Sequence, residues 1–393
     1  MDQHTDQRPW RGKATQQNGT NRSIEERFKN YLDELNSRNR YILGYPAAKD
    51  FSYDFLVDFL DLPLNNVGDP YVAGHYGINT KTFEREVIDF FASHFRAPPD
   101  DYWGYVTAGG TEGNFFSLAI AREVYPDAVV LFSTATHYSV PKSCHLLRME
   151  FQTIAVQSND EIDYADLTAR IQTLHTLGTR AIIVVANIGT TMTEAKDDVK
   201  RIRTLLHEAG VERHFIHSDA ALCGAFLHLS EYRGGFDLAD GADSVAISGH
   251  KFIGAPMPCG VVITRRSLSE KARREVSYIG GTDSTLAGSR NGLTVLCLWY
   301  AIHQLGAVGL GKRFRDAEAQ ARMLQAALRD VGIPAWRNPH ALTVVFPPVS
   351  SEIREKWQLA TDERYSHLIV MPNTPPSMLD EFVADMRRDA KRG

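Results

Sequence analysis

The sequence has few of the features that mark secreted, membrane or nucleic-acid-binding proteins. Its 393 residues contain only four cysteines, at positions 144, 223, 259 and 297, and no two of them form a CxxC pair. We therefore expect reduced thiols and a cytoplasmic location rather than a disulfide framework. The N-terminus is polar and has no hydrophobic signal core, and no uninterrupted apolar run reaches the roughly 18 residues that a membrane helix needs.

Excess charge of one sign is also missing. The chain has 43 Lys and Arg against 48 Asp and Glu, a net charge of −5, whereas a nucleic-acid surface needs a clustered basic excess.

The glycine-rich stretch at residues 107–114 has neither the GxGxxG spacing of a dinucleotide-binding motif nor the lysine of a P-loop. A zinc site from Cys144, His145 and His137 is the weaker alternative because its spacing matches no standard zinc motif, so we predict no metal centre.

The sequence does contain a regular alternation of short apolar runs and amphipathic segments. Strand-like runs lie at residues 129–132, 153–156, 181–186, 215–217, 244–247 and 260–264. Helical periodicity separates several of them, as at residues 164–174 and 197–209. This order predicts an α/β fold with a mostly parallel sheet and helices on both faces. In such sheets, ligands bind at the carboxyl ends of the strands.

Three chemically informative residues each follow one of these predicted strands. Lys251 is flanked by glycine, serine and histidine, so it can leave solvent without apolar packing. Partial desolvation lowers the pKa of an amine and makes it nucleophilic toward aldehydes, although an isolated lysine here is also typical of an ordinary surface. Asp219 is followed by two alanines, which leave room for a flat ring. His137 is a candidate for stacking on that ring, with a structural role as the alternative.

The lysine and the aspartate together match one cofactor. Pyridoxal phosphate needs an amine that binds it covalently and an acid that keeps its ring nitrogen protonated. The glycine-rich stretch precedes a helix-like run that begins at Phe115, and backbone N–H groups at a helix N-terminus bind phosphate. Taken alone, that stretch is also the pattern of a tight turn.

The combined motifs resemble the group II pyridoxal-phosphate-dependent decarboxylases, especially the bacterial histidine decarboxylases and the plant-type serine decarboxylases. The motifs that carry the resemblance are residues 105–114, 136–140, 186–191, 217–221, 248–254, 256–260 and 288–292. The resemblance extends from Ile24 to the C-terminus. Ala108 departs from it, because many relatives are expected to have asparagine there, and this affects one polar contact near the phosphate.

The resemblance implies fold type I of the pyridoxal-phosphate enzymes, with a small C-terminal α+β domain. We expect four segments: a disordered tail (1–22), an N-terminal arm that contacts a second subunit (23–75), a large cofactor-binding domain (76–305) and a small domain (306–393). Within the arm, residues 24–35 have the periodicity of an amphipathic helix. The expected partners are a small L-amino acid substrate and a second copy in a homodimer that shares its active site, without nucleic acid or membrane.

The same resemblance implies roles for the three strand-end residues. Lys251 holds pyridoxal phosphate through its amine, Asp219 keeps the pyridine nitrogen protonated, and His137 stacks on the ring. Ala221 is expected to cover the other face of the ring. The phosphate candidates are Gly109, Gly110, Thr111, Ser248 and His250.

Three further positions have two interpretations each. Asn187, with Thr190 and Thr191, either contacts the ring oxygen or caps a turn. Tyr278 is a candidate for the donor that protonates Cα after carbon dioxide leaves, or it is only a packing anchor. The same turn-rich segment, residues 278–292, is either a connection between domains or a mobile loop over the site, which would place Ser289 and Arg290 near the phosphate or at a subunit contact.

The expected activity is L-amino-acid α-decarboxylation, which releases carbon dioxide and an amine. Histidine is the first expected substrate and serine the next. The reaction type follows from the resemblance, because the cofactor alone does not choose between decarboxylation, transamination and racemisation. The alternatives are another fold type I enzyme, such as an aminotransferase or a carbon–carbon lyase, and a non-catalytic relative, which the intact Lys251 and Asp219 disfavour.

Overall fold

The computed structural model describes residues 18–48, 50–232, 234–372 and 374–391. They belong to two compact units, residues 1–42 and 43–393, which are described separately. The described part of the first unit is mainly helix α1 (Asn18–Asn39). Residues 1–17 of the predicted tail lie outside the described residues, whereas 18–22 belong to α1. The prediction of a disordered tail is therefore wrong for residues 18–22.

One face of α1 is apolar and open to solvent. The side chains of this face are 44–71% exposed: Ile24, Phe28, Tyr31, Leu32 and Leu35. Their spacing is that of an amphipathic helix, as the sequence predicts. Within its own unit, therefore, α1 leaves its apolar face uncovered.

The second unit is built on a seven-stranded sheet with the order β1-β7-β6-β5-β4-β2-β3. Its strands are β1 (Trp103–Thr107), β2 (Val129–Ser133), β3 (Phe151–Ile154), β4 (Ala181–Asn187), β5 (Arg213–Asp219), β6 (Ser244–Ser248) and β7 (Gly260–Thr264). Strand β7 pairs antiparallel with both of its neighbours, and the other described pairs of this sheet are parallel. The predicted, mostly parallel sheet is thus confirmed.

Strand β4 shows why the sheet needs cover on both faces. All seven of its residues are buried. Ile182 and Val184 point into one core cluster, and Ile183 and Val185 into the other. A strand that is apolar on both sides is stable only between two layers of helices.

Helices supply those two layers. The helices are α2 (Lys81–His94), α3 (Gly110–Val124), α4 (Ser139–Leu147), α5 (Tyr164–Thr176), α6 (Val199–Glu208), the short α7 (Arg266–Ser269) and α8 (Gly292–Asp330). Helices α3 and α4 contribute to one core cluster, and α2, α5, α6 and α8 to the other. Aspartates cap α5 and α6: Asp163 and Asp198 each accept two backbone N–H groups of the first turn.

Helix α8 bends at Gly306, which has φ 55° and ψ −175°. Among the described residues it is the one helix that is long and apolar enough to cross a membrane. Leu298, Ala301 and Phe314 are nevertheless buried in the same core cluster as the sheet. The apolar composition of α8 is therefore that of a core helix.

The C-terminal part of the chain is a small α+β layer, as predicted. Strands β10 (Thr343–Phe346), β11 (Ala360–Thr361) and β12 (Ser366–Ile369) form an antiparallel sheet in the order β10-β12-β11. Helices α9 (Ser351–Trp357) and α10 (Pro376–Asp389) accompany it. The bend at Gly306 lies beside the predicted boundary between the large and small domains, and that division stays a prediction.

Two features of the second unit matter for function. Strands β8 (Arg274–Val276) and β9 (Gly281–Asp283) form a hairpin that holds Tyr278 at its tip.

The parallel strands β1, β2, β4, β5 and β6 end at one edge of the large sheet, on the residues Thr107, Ser133, Asn187, Asp219 and Ser248. All five of these terminal residues are buried. Most of the predicted site residues lie on or just after these strand ends, whereas Tyr278 lies on the hairpin.

Candidate active site

Asp219 ends β5 with its carboxylate held by two donors. Its side chain is 7% exposed. Oδ2 accepts a hydrogen bond from the Asn114 amide at 2.7 Å, and Oδ1 accepts one from the backbone N–H of Ala221 at 3.3 Å. A carboxylate oriented in this way keeps lone pairs available for one more donor, such as a protonated ring nitrogen.

Lys251 lies in the turn that follows β6. Its amine makes no hydrogen bond or ion pair with any residue that the structure describes, although it remains partly exposed. Burial lowers the pKa of Lys251, and the nearby Asp219 carboxylate and Cys223 oppose that shift. A partly desolvated amine that no described residue binds loses its proton more readily and can then attack an aldehyde carbon.

His137 lies just before α4, and both Asp219 and Lys251 influence its pKa. Burial lowers its pKa, Asp219 acts to raise it, and Lys251 acts to lower it further. Asp219 also acts on the pKa of Lys251. His137, Asp219 and Lys251 therefore lie close enough at the end of the sheet to influence one another's pKa values.

The glycine-rich stretch forms the N-terminus of α3. The backbone N–H groups of Gly110 and Thr111 find no acceptor in the described chain, as is usual for the first turn of a helix. A side chain at Gly110 would place its Cβ 2.7 Å from the Ser248 hydroxyl oxygen and 3.6 Å from the Ala221 Cβ. Gly110, Ser248 and Ala221 therefore line one cradle. At the helix N-cap, Gly109 has φ 152°, which favours glycine.

The start of α3 differs from the sequence prediction. The helix begins at Gly110, five residues before the predicted start at Phe115. Glycines have low helix propensity, so the pattern predicts a turn there. Tertiary contacts override it: the Glu112 carboxylate accepts the Ala108 N–H at 2.7 Å, and a Cβ at Gly113 would lie only 2.8 Å from the Ala246 Cβ. The close approach of α3 to the sheet needs that glycine.

His250 and Asn187, two other residues predicted to contact the cofactor, already make hydrogen bonds within the chain. His250 Nδ1 lies 2.9 Å from the carbonyl oxygen of Cys259 and 3.3 Å from its nitrogen. Asn187 donates its amide hydrogens to the Ser133 hydroxyl at 3.1 Å and to Asp197 at 3.0 Å. A donor contact from Asn187 to a ring oxygen would have to replace one of these, so its placement favours the structural alternative. Both contacts stay predictions.

Tyr278 is separate from this cluster within one chain. Its side chain is 85% exposed, and its hydroxyl makes no hydrogen bond to the described residues. Arg290 is buried instead: its guanidinium pairs with Glu84 and donates to the Gly68 carbonyl at 2.8 Å. Arg290, which the sequence analysis placed near the phosphate or at a subunit contact, thus binds residues of its own chain.

Sequence reasoning missed the side chains behind Asp219. Asn114, His217, Ser139 and Ser244 form a connected set of hydrogen bonds that reaches Asp219 and His137. One signal was available, since His217 lies two residues before Asp219 on β5 and alternate residues of a strand share a face. For Asn114, the sequence offered only its place in the glycine-rich motif.

The residues present fit pyridoxal phosphate. An unpartnered amine with a lowered pKa, an oriented carboxylate and a glycine cradle with free N–H groups provide for its aldehyde, its ring nitrogen and its phosphate. When bound, this cofactor supplies an electron sink for the bond broken at Cα of an amino acid. The fold and the site define a fold type I pyridoxal-phosphate enzyme.

Comparison with known proteins specifies the class. The pyridoxal-dependent decarboxylase conserved domain matches residues 119–346. Histidine decarboxylase from Mesorhizobium japonicum is 49% identical over 364 residues, which cover 92% of this chain and 98% of that protein. Serine decarboxylase 2 from Oryza sativa subsp. japonica is 38% identical over 370 residues, covering 94% and 79%.

A solved structure agrees with these sequence relatives. L-methionine decarboxylase from Streptomyces sp. 590 matches with a TM-score of 0.82 and 27% identity, covering 93% of this chain and 94% of that one. The chain belongs to the pyridoxal-dependent decarboxylase family. It is a pyridoxal-phosphate-dependent amino acid decarboxylase, which confirms the cofactor and the reaction class expected from the sequence.

Proposed function

We propose that this enzyme is an L-histidine α-decarboxylase that forms histamine and carbon dioxide. The observation that carries the proposal is the 49% identity to the Mesorhizobium japonicum histidine decarboxylase across 92% of the chain. A second histidine decarboxylase, from Acinetobacter baumannii, is 40% identical over 94% of the chain. The serine decarboxylase from rice, at 38% identity, keeps serine as the second candidate substrate.

The strand-end residues divide the work at the cofactor. Lys251 would hold the cofactor through its amine. Asp219 would accept the N–H of the pyridine ring and keep that nitrogen protonated, which lets the ring act as an electron sink. His137 would stack on the ring, and the N–H groups of Gly110 and Thr111, with the Ser248 hydroxyl, would bind the phosphate.

The return of a proton to Cα is assigned to Tyr278. A phenol hydroxyl can act as a general acid when it is positioned at the reacting carbon. Because Tyr278 is 85% exposed in its own chain, we assign its action to the site of a partner subunit. The hairpin of strands β8 and β9 would carry it there.

A homodimer supplies that partner. The apolar face of α1 is one exposed surface that a second copy can cover. Another follows in the segment Asp54–Asp61, where Phe55, Val57 and Leu60 are 50–65% exposed. Exposed apolar patches of this kind mark protein contacts, and most oligomers of identical chains are symmetric dimers.

Light scattering coupled to size exclusion tests the dimer. The expected mass is twice the 44.0 kDa of the chain. Replacing Phe28 and Leu32 with glutamate should shift the protein toward monomer, whereas the matched change of the exposed Leu177 and Met323 should not. A wild-type protein that elutes as a monomer at micromolar concentration contradicts the shared site.

Two further proposals concern location and organisation. A cytoplasmic location is supported by the four cysteines, which are all free and buried. The division into a large domain (76–305) and a small domain (306–393) is supported by the bend of α8 at Gly306. Limited proteolysis of the native enzyme tests that division by the sites of first cleavage.

An amino-acid panel tests the reaction. Purified enzyme with added pyridoxal phosphate is incubated with each L-amino acid, and the amine is identified by mass spectrometry. We expect histamine from histidine and no amine from the Lys251→Ala control. Ethanolamine as the main product would assign the enzyme to serine, and a keto acid without amine would replace decarboxylation by transamination.

A further inference from the structure

We propose that Asn114 is a positioning residue that orients Asp219 and His137 together and fixes the His137 tautomer with its hydrogen on Nε2. The inference rests on cofactor binding at these two residues, as set out above. It does not depend on which amino acid is the substrate.

Asn114 is the point where α3, β5 and α4 meet. Its side chain is 1% exposed. Its Nδ2 donates to Asp219 Oδ2 at 2.7 Å and to the Ser139 hydroxyl at 3.1 Å. Its Oδ1 accepts from His217 Nε2 at 2.9 Å. One amide therefore joins a residue of β5 that holds the ring nitrogen to the first residue of α4.

The Asp219 carboxylate determines which way this amide points. A carboxylate only accepts hydrogen bonds, so the atom of Asn114 that faces it must be the nitrogen. The oxygen then faces His217, which must carry its hydrogen on Nε2. Burial lowers the pKa of His217 to about 4, so the ring is neutral near pH 7 and its Nδ1 has no hydrogen. Nδ1 accepts from the Ser244 hydroxyl at 2.8 Å.

The same logic extends from Asn114 to His137. The Ser139 oxygen receives an N–H from Asn114, so its own hydrogen is free to point at His137 Nδ1, which is 2.8 Å away. The backbone N–H of Ser139 also donates to that Nδ1, at 3.3 Å. A nitrogen that accepts a backbone N–H carries no hydrogen itself. Neutral His137 therefore has its hydrogen on Nε2.

This arrangement gives the site two coupled properties. The carboxylate that holds the ring nitrogen cannot turn without breaking its bond to Asn114, and the stacking imidazole offers an N–H rather than a lone pair at Nε2. An N–H at that position is a donor for an anionic group such as a carboxylate. The charged groups that act on His137 from the neighbouring strands are Asp219 and Lys251.

Two pairs of variants separate this role from general packing. Asn114→Ala removes the whole junction, and Asn114→Asp keeps its shape but places an oxygen against Asp219. Ser139→Ala cuts only the branch to His137. Its matched control is Ser143→Ala, one turn further along α4, because that hydroxyl is similarly buried and its one partner among the described residues is the Ser139 carbonyl, at 2.7 Å.

The primary readout is the titration of apoenzyme with pyridoxal phosphate. Loss of a hydrogen bond to a charged group should weaken cofactor binding about 10- to 100-fold in both Asn114 variants. Ser139→Ala should bind the cofactor within about threefold of wild type, and Ser143→Ala should match wild type. Wild-type affinity in a folded Asn114→Asp protein overturns the proposal. If Asn114→Ala does not fold, Asn114→Asp and Ser139→Ala still decide.

The tautomer is read directly by nitrogen NMR of histidine-labelled apoenzyme, with His137→Gln to assign the signal. We expect the Nε2–H form for wild type and Ser143→Ala. Ser139→Ala and Asn114→Ala should show a larger Nδ1–H fraction, because they lose or no longer orient the 2.8 Å hydroxyl contact and keep only the longer 3.3 Å backbone N–H at Nδ1. A wild-type His137 with its hydrogen on Nδ1 contradicts the inference. Because neither readout uses an amino acid substrate, a failed histidine assay leaves this test intact.

Discussion

The two ends of the reaction centre are built in opposite ways. At the ring-nitrogen end, Asp219 is 7% exposed and its carboxylate is oriented by donors from the same chain. At the proposed proton-return end, Tyr278 is 85% exposed and its hydroxyl makes no hydrogen bond to a described residue. The difference teaches that one chain by itself orients the acid expected at the ring nitrogen, whereas the proton transfer proposed for Tyr278 requires a second subunit.

The largest expected effect is that of Lys251→Ala. Removing the amine abolishes covalent binding of the cofactor, and we expect turnover to fall at least about 10⁴-fold. Cofactor held by Asp219 and the glycine cradle should still bind without the covalent bond, which keeps the ring-nitrogen end intact. Steady-state amine production and a cofactor titration measure the two effects. Full turnover in this variant would remove the lysine from the mechanism.

Tyr278→Phe should affect only the opposite end. Loss of a general acid lowers the rate by about 10²- to 10³-fold, so kcat should fall by that factor. The cofactor dissociation constant should stay at the wild-type value, because Tyr278 has no contact with the ring-nitrogen end. A parallel loss of cofactor affinity would show that the tyrosine belongs to the cofactor site itself.

Asp219→Asn tests the charge rather than the shape of the carboxylate. An oriented charge next to the reacting system contributes about 10²-fold to the rate, so kcat should fall by that order with a smaller change in KM. The new side chain has one acceptor oxygen in place of two, so it cannot accept from both Asn114 and the Ala221 N–H, which also weakens cofactor binding. An unchanged kcat would mean that the ring nitrogen does not need this charge.

The smallest effect is on stability at mild acidity. The pKa of buried His217 is lowered to about 4, against 6.5 in the unfolded chain. The unfolded state therefore binds more protons, and stability that is full above pH 6.5 falls as the pH drops toward 4. At pH 5.5 this histidine alone should cost about 1 kcal/mol relative to pH 7.

Denaturant unfolding at the two pH values measures this cost. His217→Gln should remove that part of the pH dependence, whereas Tyr278→Phe should leave it unchanged. An identical acid slope in wild type and His217→Gln would contradict the neutral, buried state of His217 on which the hydrogen-bond chain depends.

The sequence predicts the parts of this site that depend on local pattern. Lys251 and Asp219 each follow a short apolar run, and the rule that ligands bind at strand ends places both at one edge of the sheet. Ser248 and Gly110 were also predicted on the same side, from motif chemistry. These residues are predictable because strand periodicity and turn composition act over a few neighbouring positions.

The remaining parts depend on packing between distant segments. Asn114 and Asp219 are 105 positions apart and meet only because α3 lies across the sheet. The sequence pattern does not predict strand β1, because its place is set by antiparallel pairing with β7, far along the chain. The exposure of Tyr278 depends on the packing of one folded chain, which no local pattern contains.

The most direct test of the central claim is to locate the covalent cofactor. Holoenzyme is reduced with borohydride, digested, and mapped by mass spectrometry. The account predicts the cofactor mass on the peptide that contains Lys251 and on no other. Attachment to a different lysine, or no attachment in an active enzyme, would contradict the placement of the cofactor between Lys251 and Asp219.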